Sequence, residues 1–371
     1  MDHCNRKTGA VLASTALLKR LMLATGAVLL LFGLLYSCAT RQQSLTLEDL
    51  KQLPERQLAQ YIEPFALAGA FPPAVADRFV EAPAQALDYM RRMDDTDRYF
   101  SRSPTTGEVS LFMQYYRQLP GQFRSVFEER VAAIYLIEGF MGGGMTDFVF
   151  DDNGEMFLIL YLNPTIFEST LQQWLEYRDN SSFAAVENTA ANAAVGVATP
   201  TALSLKVSCA ASDGRQYQGL LHTLVHESVH VYDYITLQTP FIEQLFSDGS
   251  RSAASTAFTA TVWAKLREPL PEWDFAGRKE ISAYGLGPAL PMEQAAAMYT
   301  ALQTRPFASL YGTLSWSEDY AEAFTWFWLK QRYGIDYQVQ VLEGSELLAE
   351  YSPTQNPLLQ KRWEAFIIYT D

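Results

Sequence analysis

The chain has 371 residues, of which 49% are hydrophobic and 19% charged. That is a globular composition with ample length to bury a core. The formal net charge of −14 argues against a nucleic-acid binder, which normally shows a basic face, and gives no attraction to anionic lipid.

The first forty residues read as targeting rather than fold. Lys19 and Arg20 precede a stretch without charge from Leu21 to Thr40, the pattern of a secretion signal. It ends in "LLYSC". Leu35, Ser37 and Cys38 stand at −3, −1 and +1 of a bacterial lipobox, in which cleavage leaves Cys38 as a lipidated first residue. An uncleaved N-terminal anchor is the other reading, because an uncharged stretch of about 20 residues can also span a bilayer. Either way the bulk of the chain is expected outside the cytoplasm, tethered to a membrane. Ala39 and Thr40 follow the cysteine without an aspartate, which favours the outer membrane in a Gram-negative host. With Cys4 removed and Cys38 acylated, Cys209 is left alone and no intrachain disulfide is possible. Cys209 is expected as a buried core residue, the alternative being a thiolate that blocks a metal.

Residues 44–135 read mostly as helices. "SLTLEDLKQLPERQLAQYIEPF", "APAQALDYMRRM" and "GQFRSVFEERVAAIYLIEGF" repeat apolar residues at helical spacing, with "DDTDRYFSRSPTTGE" as a turn-rich loop between the last two. The texture then changes. "MGGGMTDFVFDDNGEMFLILYLNP", residues 141–164, predicts a β-hairpin turning at Asn153-Gly154. Asp151, Asp152 and Glu155 at that turn lack the ligand spacing of a calcium loop and read as a solvated tip. Residues 184–204 are small and nearly uncharged, a loop or loosely held segment.

A helix is expected from Tyr217 to about Leu237. It holds three of the four histidines, at 222, 226 and 230. His226, Glu227 and His230 spell H-E-x-x-H. Positions i and i+4 share a helix face, so two imidazoles there can bind one metal ion. Glu227 is offset by one residue and can reach a water on that metal instead, which points to zinc hydrolysis with Glu227 as general base. Apolar residues surround the motif, and buried imidazoles need partners. His222 extends the ladder by one more turn and is expected behind the ligands or at the surface.

A catalytic zinc site needs a third protein ligand. No histidine remains downstream, and the best candidate lies in "YGTLSWSEDYAEAF", residues 311–324. Glu318 and Glu322 are i and i+4 on a second helix, expected to end at Gly334. Ala321 and Ala323 beside them allow close approach to the histidine helix. Glu318 is the expected ligand. The C-terminal "NPLLQKRWEAFIIYT" reads as a helix that turns extended.

H-E-x-x-H followed by Y-G-x5-E-x2-A-E-x-F resembles the gluzincin metallopeptidases of the anthrax lethal factor type. The resemblance covers the catalytic core, about a third of the chain. It implies one zinc ion held by His226, His230 and Glu318, with Glu227 as catalytic glutamate. Tyr311 falls where that family has a tyrosine assisting at the oxyanion or leaving group. Asp233 matches an acidic residue after the motif, and Asp233 or Glu322 is expected to orient a ligand imidazole from behind. The gap from His230 to Glu318 is longer than in compact members, implying an insertion. "GEMFLILYLNP" is the candidate for the edge strand that pairs with an extended substrate in such enzymes, with a core strand as the alternative.

The expected fold is α+β and mainly helical: a zincin-like core with a small mixed sheet and an added N-terminal helical region. The expected division is a signal peptide over 1–37, a tether and helical region over 38–135, and a catalytic region over 136–371. The expected activity is hydrolysis of a peptide or protein substrate at the bacterial cell envelope, without nucleic acid. A non-catalytic zinc-binding lipoprotein and a zinc amidohydrolase acting on a cell-envelope polymer are the rival readings.

Overall fold

The computed structural model describes Lys51 and residues 56–57, 72–184, 203–242 and 255–370. The signal segment with Cys38, nearly all of the helix expected over 44–65, and residues 185–202 lie outside the described residues. The fold is mixed α+β, as expected.

Its elements in chain order begin with helix α1 (Ala84–Met93), strand β1 (Phe100–Arg102), helices α2 (Thr106–Tyr116) and α3 (Gly121–Arg130), and strands β2 (Val131–Glu138), β3 (Gly144–Phe150) and β4 (Met156–Leu162). The short helix α4 (Thr165–Glu168), helix α5 (Leu171–Asn180), and strands β5 (Phe183–Ala184) and β6 (Leu203–Ala211) lead to helix α6 (Gly219–Thr236), which carries the histidines. Strands β7 (Trp263–Lys265), β8 (Glu268–Pro269) and β9 (Leu290–Pro291) and helix α7 (Ala295–Leu302) fill the long interval before helix α8 (Trp316–Tyr333). Strands β10 (Ile335–Glu343) and β11 (Glu346–Tyr351) and helix α9 (Pro357–Trp363) complete the chain.

The main sheet has the order β1-β2-β4-β3 and is mixed. β2 and β4 run parallel at its centre, and β3 lies antiparallel to β4 at one edge. Both faces are covered. Ile134, Leu136, Leu158 and Leu160 enter the large core shared with α6 and α8, while Tyr135, Ile137, Ile159 and Tyr161 meet Ala86 and Met90 of α1 on the other side. This double burial corrects the helix expected over 121–140. That helix stops at Arg130, and "VAAIYLIE" is strand β2. A strand buried on both faces reads as a continuous apolar run, and periodicity cannot separate such a run from a buried helix. The boundary expected between residues 135 and 136 therefore runs through the middle of β2, and residues 46–371 cluster as one unit.

The hairpin over 141–164 forms as expected. Gly154 takes φ +77°, and the Asp151 carboxylate accepts from the backbone N–H groups of Asn153 and Glu155 at 2.9 and 2.7 Å. That carboxylate is spent on the turn. The edge strand, however, is β3 and not β4, because β2 pairs with the far side of β4. The loop over 94–108 contains β1, which adds to the sheet beside β2.

A second, antiparallel sheet of order β11-β10-β6 joins the two strands after α8 to the earlier β6. The C-terminal segment does not turn extended. After α9 it continues as a 3-10 helix over Glu364–Tyr369, because Phe366 and Tyr369 are buried against Phe324 of α8. Among the described residues no helix is long and apolar enough to cross a membrane.

Candidate metal centre

α6 runs through the middle of the core and is buried almost all round from Gly219 to Val231. Two glycines set how closely the rest of the fold approaches it. A Cβ on Gly144, at the start of β3, would lie 2.8 Å from Glu227 Cγ and 2.9 Å from Thr223 Cγ2. A Cβ on Gly143 would lie 2.6 Å from the Trp174 ring and 2.8 Å from Thr223 Oγ1. The glycine run before β3 is therefore a contact surface: only glycine lets the edge strand pass this near the motif.

α8 crosses α6 with its first turns. Ser315 caps it, accepting from Glu318 N at 3.3 Å. In S-x-x-E the glutamate side chain often reaches back to the cap. Here Glu318 turns to the histidines instead. His226 Nε2 lies 3.1 Å from Glu318 Oε2 and 3.1 Å from His230 Nε2, and His230 Nε2 lies 3.5 Å from Glu318 Oε2. Ligands about 2.0–2.1 Å from a tetrahedral zinc are spaced about 3.3–3.4 Å from one another, so the triangle has the size such an ion needs. His226, His230 and Glu318 thus form a group able to hold a metal ion, and it is the only such group found among the described residues.

The electrostatics favour a cation there. Burial works against charge on His226, yet Glu318 and Glu322 overcome it and push its pKa up to about 10. Burial likewise opposes ionisation of Glu318, but His230 and His226 hold its carboxyl below the usual range. A site that retains a proton so firmly at His226 is one where a metal ion can replace that proton.

Glu227 is 4% exposed and stands beside this triangle. Burial raises its pKa, with His226 and His230 opposing. The Thr146 hydroxyl of β3 donates to Glu227 Oε2 at 2.9 Å and fixes the carboxylate. Tyr311 lies on the 3-10 turn Tyr311–Thr313, its ring centroid 5.8 Å from that of His226. It lines a small cavity together with Gly144, His226, Glu227 and Tyr284. The five residues expected at the reacting centre are therefore brought together.

The supporting residues take separate places. Glu322 lies behind the ligands, 3.2 Å from His226 Nδ1, though the ring N–H is not aligned well enough for a full hydrogen bond. It also lies 3.2 Å from His222 Nε2 and accepts from Ser309 Oγ at 2.6 Å and from Arg178 Nη1 at 3.0 and 3.1 Å. His222 is buried behind the site and not at the surface. Burial lowers its pKa to about 4 against the pull of Glu322 and keeps the ring neutral.

Asp233 does not orient an imidazole. Its carboxylate accepts from the Thr239 backbone N–H and, at 2.6 Å, from the Thr239 hydroxyl, closing the chain reversal after α6. Among the described residues no hydrogen-bond partner reaches His230 Nδ1. The chain turns back at Leu237, in the left-handed region at φ +57°, and this reversal brings Thr239 to Asp233. Cys209 sits on β6 outside the metal group, half-buried against the core and not fully within it, and desolvation raises its thiol pKa.

Sequence reasoning missed Arg178, Asp179, Thr146 and Tyr284. Arg178 is 1% exposed and joins Glu322 to Asp179, which it contacts at 2.9 Å, and Tyr337 donates to the same Asp179 carboxylate. The available signal was Glu322 itself, since a buried carboxylate requires a cation. Tyr284 adopts φ +59°, a region that costs a non-glycine residue energy.

Compared with protein-family models, with curated proteins and with solved structures, the chain matches none.

Proposed function

We propose that the chain is a zinc-dependent metallopeptidase tethered at the bacterial cell envelope, with a zincin-like catalytic core. The observation that carries this reading is the triangle of His226, His230 and Glu318 with a buried, oriented carboxylate, Glu227, at its side. Two imidazoles and one carboxylate are the donor set of a catalytic zinc site with one open position. Structural zinc sites are usually closed by a fourth protein ligand and have no use for a base. Zinc bound there would act as a Lewis acid on the scissile carbonyl and acidify the attacking water.

The residues of the chain divide the remaining work. Glu227 accepts a proton from the attacking water and passes it to the leaving amine. Its raised pKa suits it to hold that proton, and Thr146 keeps the carboxylate aimed. Tyr311 donates a hydrogen bond to the carbonyl oxygen as charge develops on it. Gly143 and Gly144 let β3 lie against the centre, where a substrate backbone would pair with the half-buried start of this edge strand, at Gly144 and Met145.

Membrane attachment through Cys38 or an uncleaved anchor rests on the sequence of residues 19–40. The test is hydrolysis of casein and of envelope polymers by the purified protein, before and after chelation. Casein cleavage that chelation abolishes and zinc restores supports the peptidase. Release from the polymers alone supports the amidohydrolase. Zinc retention with neither activity supports a binding protein.

A further inference from the structure

Beside the metal group lies an open cleft of ≈ 770 Å³, lined by both Glu318 and Tyr311. Its wall is apolar, with Phe241, Leu266 and Leu314. Its rim is not. Arg267, at the tip of the β7–β8 hairpin, and Lys279, on the 3-10 turn Arg278–Glu280, both line it and are exposed. Two carboxylates line the cleft as well: Glu268 is 3.0 Å from Lys265 Nζ and feels the charge of Lys279 more weakly, and Glu318 faces the histidines. Among the described residues neither rim cation has an ion-pair partner.

The walls that carry these cations are cross-linked by one buried side chain. Arg278 is 2% exposed, and its guanidinium donates to Asp274 at 2.6 Å, to the Thr313 carbonyl at 3.0 Å and to the Arg267 carbonyl at 3.1 Å. One buried cation thus ties the hairpin bearing Arg267 to the turn bearing Tyr311. The backbone that carries Arg267 is therefore tied to the turn that carries Tyr311, while the two cationic side chains reach into solvent. The positive rim stands out in a chain of net charge −14, whose overall field repels acidic peptides.

We propose that this cleft is a subsite for a carboxylate-bearing part of the substrate, an acidic side chain or a free C-terminus, next to the scissile bond. The inference rests on the peptidase reading of the neighbouring site, and binding tests it separately from turnover. Exposed ion pairs contribute modestly, so two of them imply a preference of about 3–10-fold. They are also screened by salt.

The experiment uses the full chain carrying Glu227→Gln, with zinc added, and dye-labelled decapeptide pools read by fluorescence anisotropy. The pools have either Glu or Gln fixed at one position, each with a free or an amidated C-terminus. Tighter binding of the Glu pool or of the free-carboxylate pool, by about 3–10-fold, is the expected result, and which of the two gains identifies the source of the carboxylate. In the added double variant Arg267→Gln/Lys279→Gln the difference closes, and raised salt narrows it in the parent. Equal binding of all pools, no binding of any, or a preference that survives the double variant would overturn the proposal. Cleavage of the same pools by the chain with Glu227 intact is scored apart. Charge-dependent binding without cleavage sinks the peptidase reading and keeps the subsite, whereas cleavage without charge preference does the reverse.

Discussion

Glu318 and Glu322 stand one turn apart on α8, yet they serve two different regions. The Glu318 side chain is 23% exposed and is held mainly by two imidazoles that also face each other. The Glu322 side chain is 0% exposed, and Arg178, His222, His226, Ser309 and Trp326 all approach its oxygens. The front of the site is short of partners and open on one side, whereas the back is closed and neutralised. A buried ion pair is a weak source of stability, but removing one member leaves a costly unpaired charge. The front can therefore be altered with the fold intact, and the back cannot.

That contrast can be broken at the front first. Glu227→Gln keeps the fold and the metal and lowers hydrolysis by about 10²–10⁴-fold, the usual contribution of general acid–base catalysis. Undiminished turnover in that variant removes Glu227 from the mechanism. At the back, Arg178→Met leaves Glu322 and Asp179 buried without their cation and destabilises the protein by about 3–5 kcal/mol. Denaturant unfolding measures this, and a variant as stable as the parent would show that the network carries no such charge. Tyr311→Phe lowers kcat by about 10²–10³-fold, with zinc content and unfolding midpoint unchanged. A loss confined to KM would assign Tyr311 to binding alone. Gly144→Ala places a methyl against Glu227 and Thr223 and costs about 1–3 kcal/mol of strain. Its kcat should fall further than its zinc content, and parent-like kinetics would mean that β3 can move away from α6 freely.

The front was the legible region. H-E-x-x-H is a local pattern: helix geometry alone brings His226 and His230 together, so the sequence suffices. Glu318 was readable because it sits at a helix start rich in small and acidic residues beside an apolar run. The back depends on distant chain. Arg178 meets Glu322 across 144 positions, and nothing local to "EYRDN" announces it. β2 was read as helix because its neighbours, β1 and β4, decide its state. The choice between β3 and β4 as edge was unreadable for the same reason, since hairpin signals do not say which strand finds a further partner. Asp233 shows the limit of analogy: its spacing fits a role at the metal, but the chain reversal after α6 brings Thr239 back to take the carboxylate.

The central claim is that Glu318, and not another acid, completes the metal site. The most direct measurement is zinc per chain on the purified protein and on Glu318→Ala, with circular dichroism to check the fold. About one zinc in the parent and little in a folded variant is the result expected of a three-ligand centre. A variant that keeps its zinc, or a parent that takes none up, contradicts it.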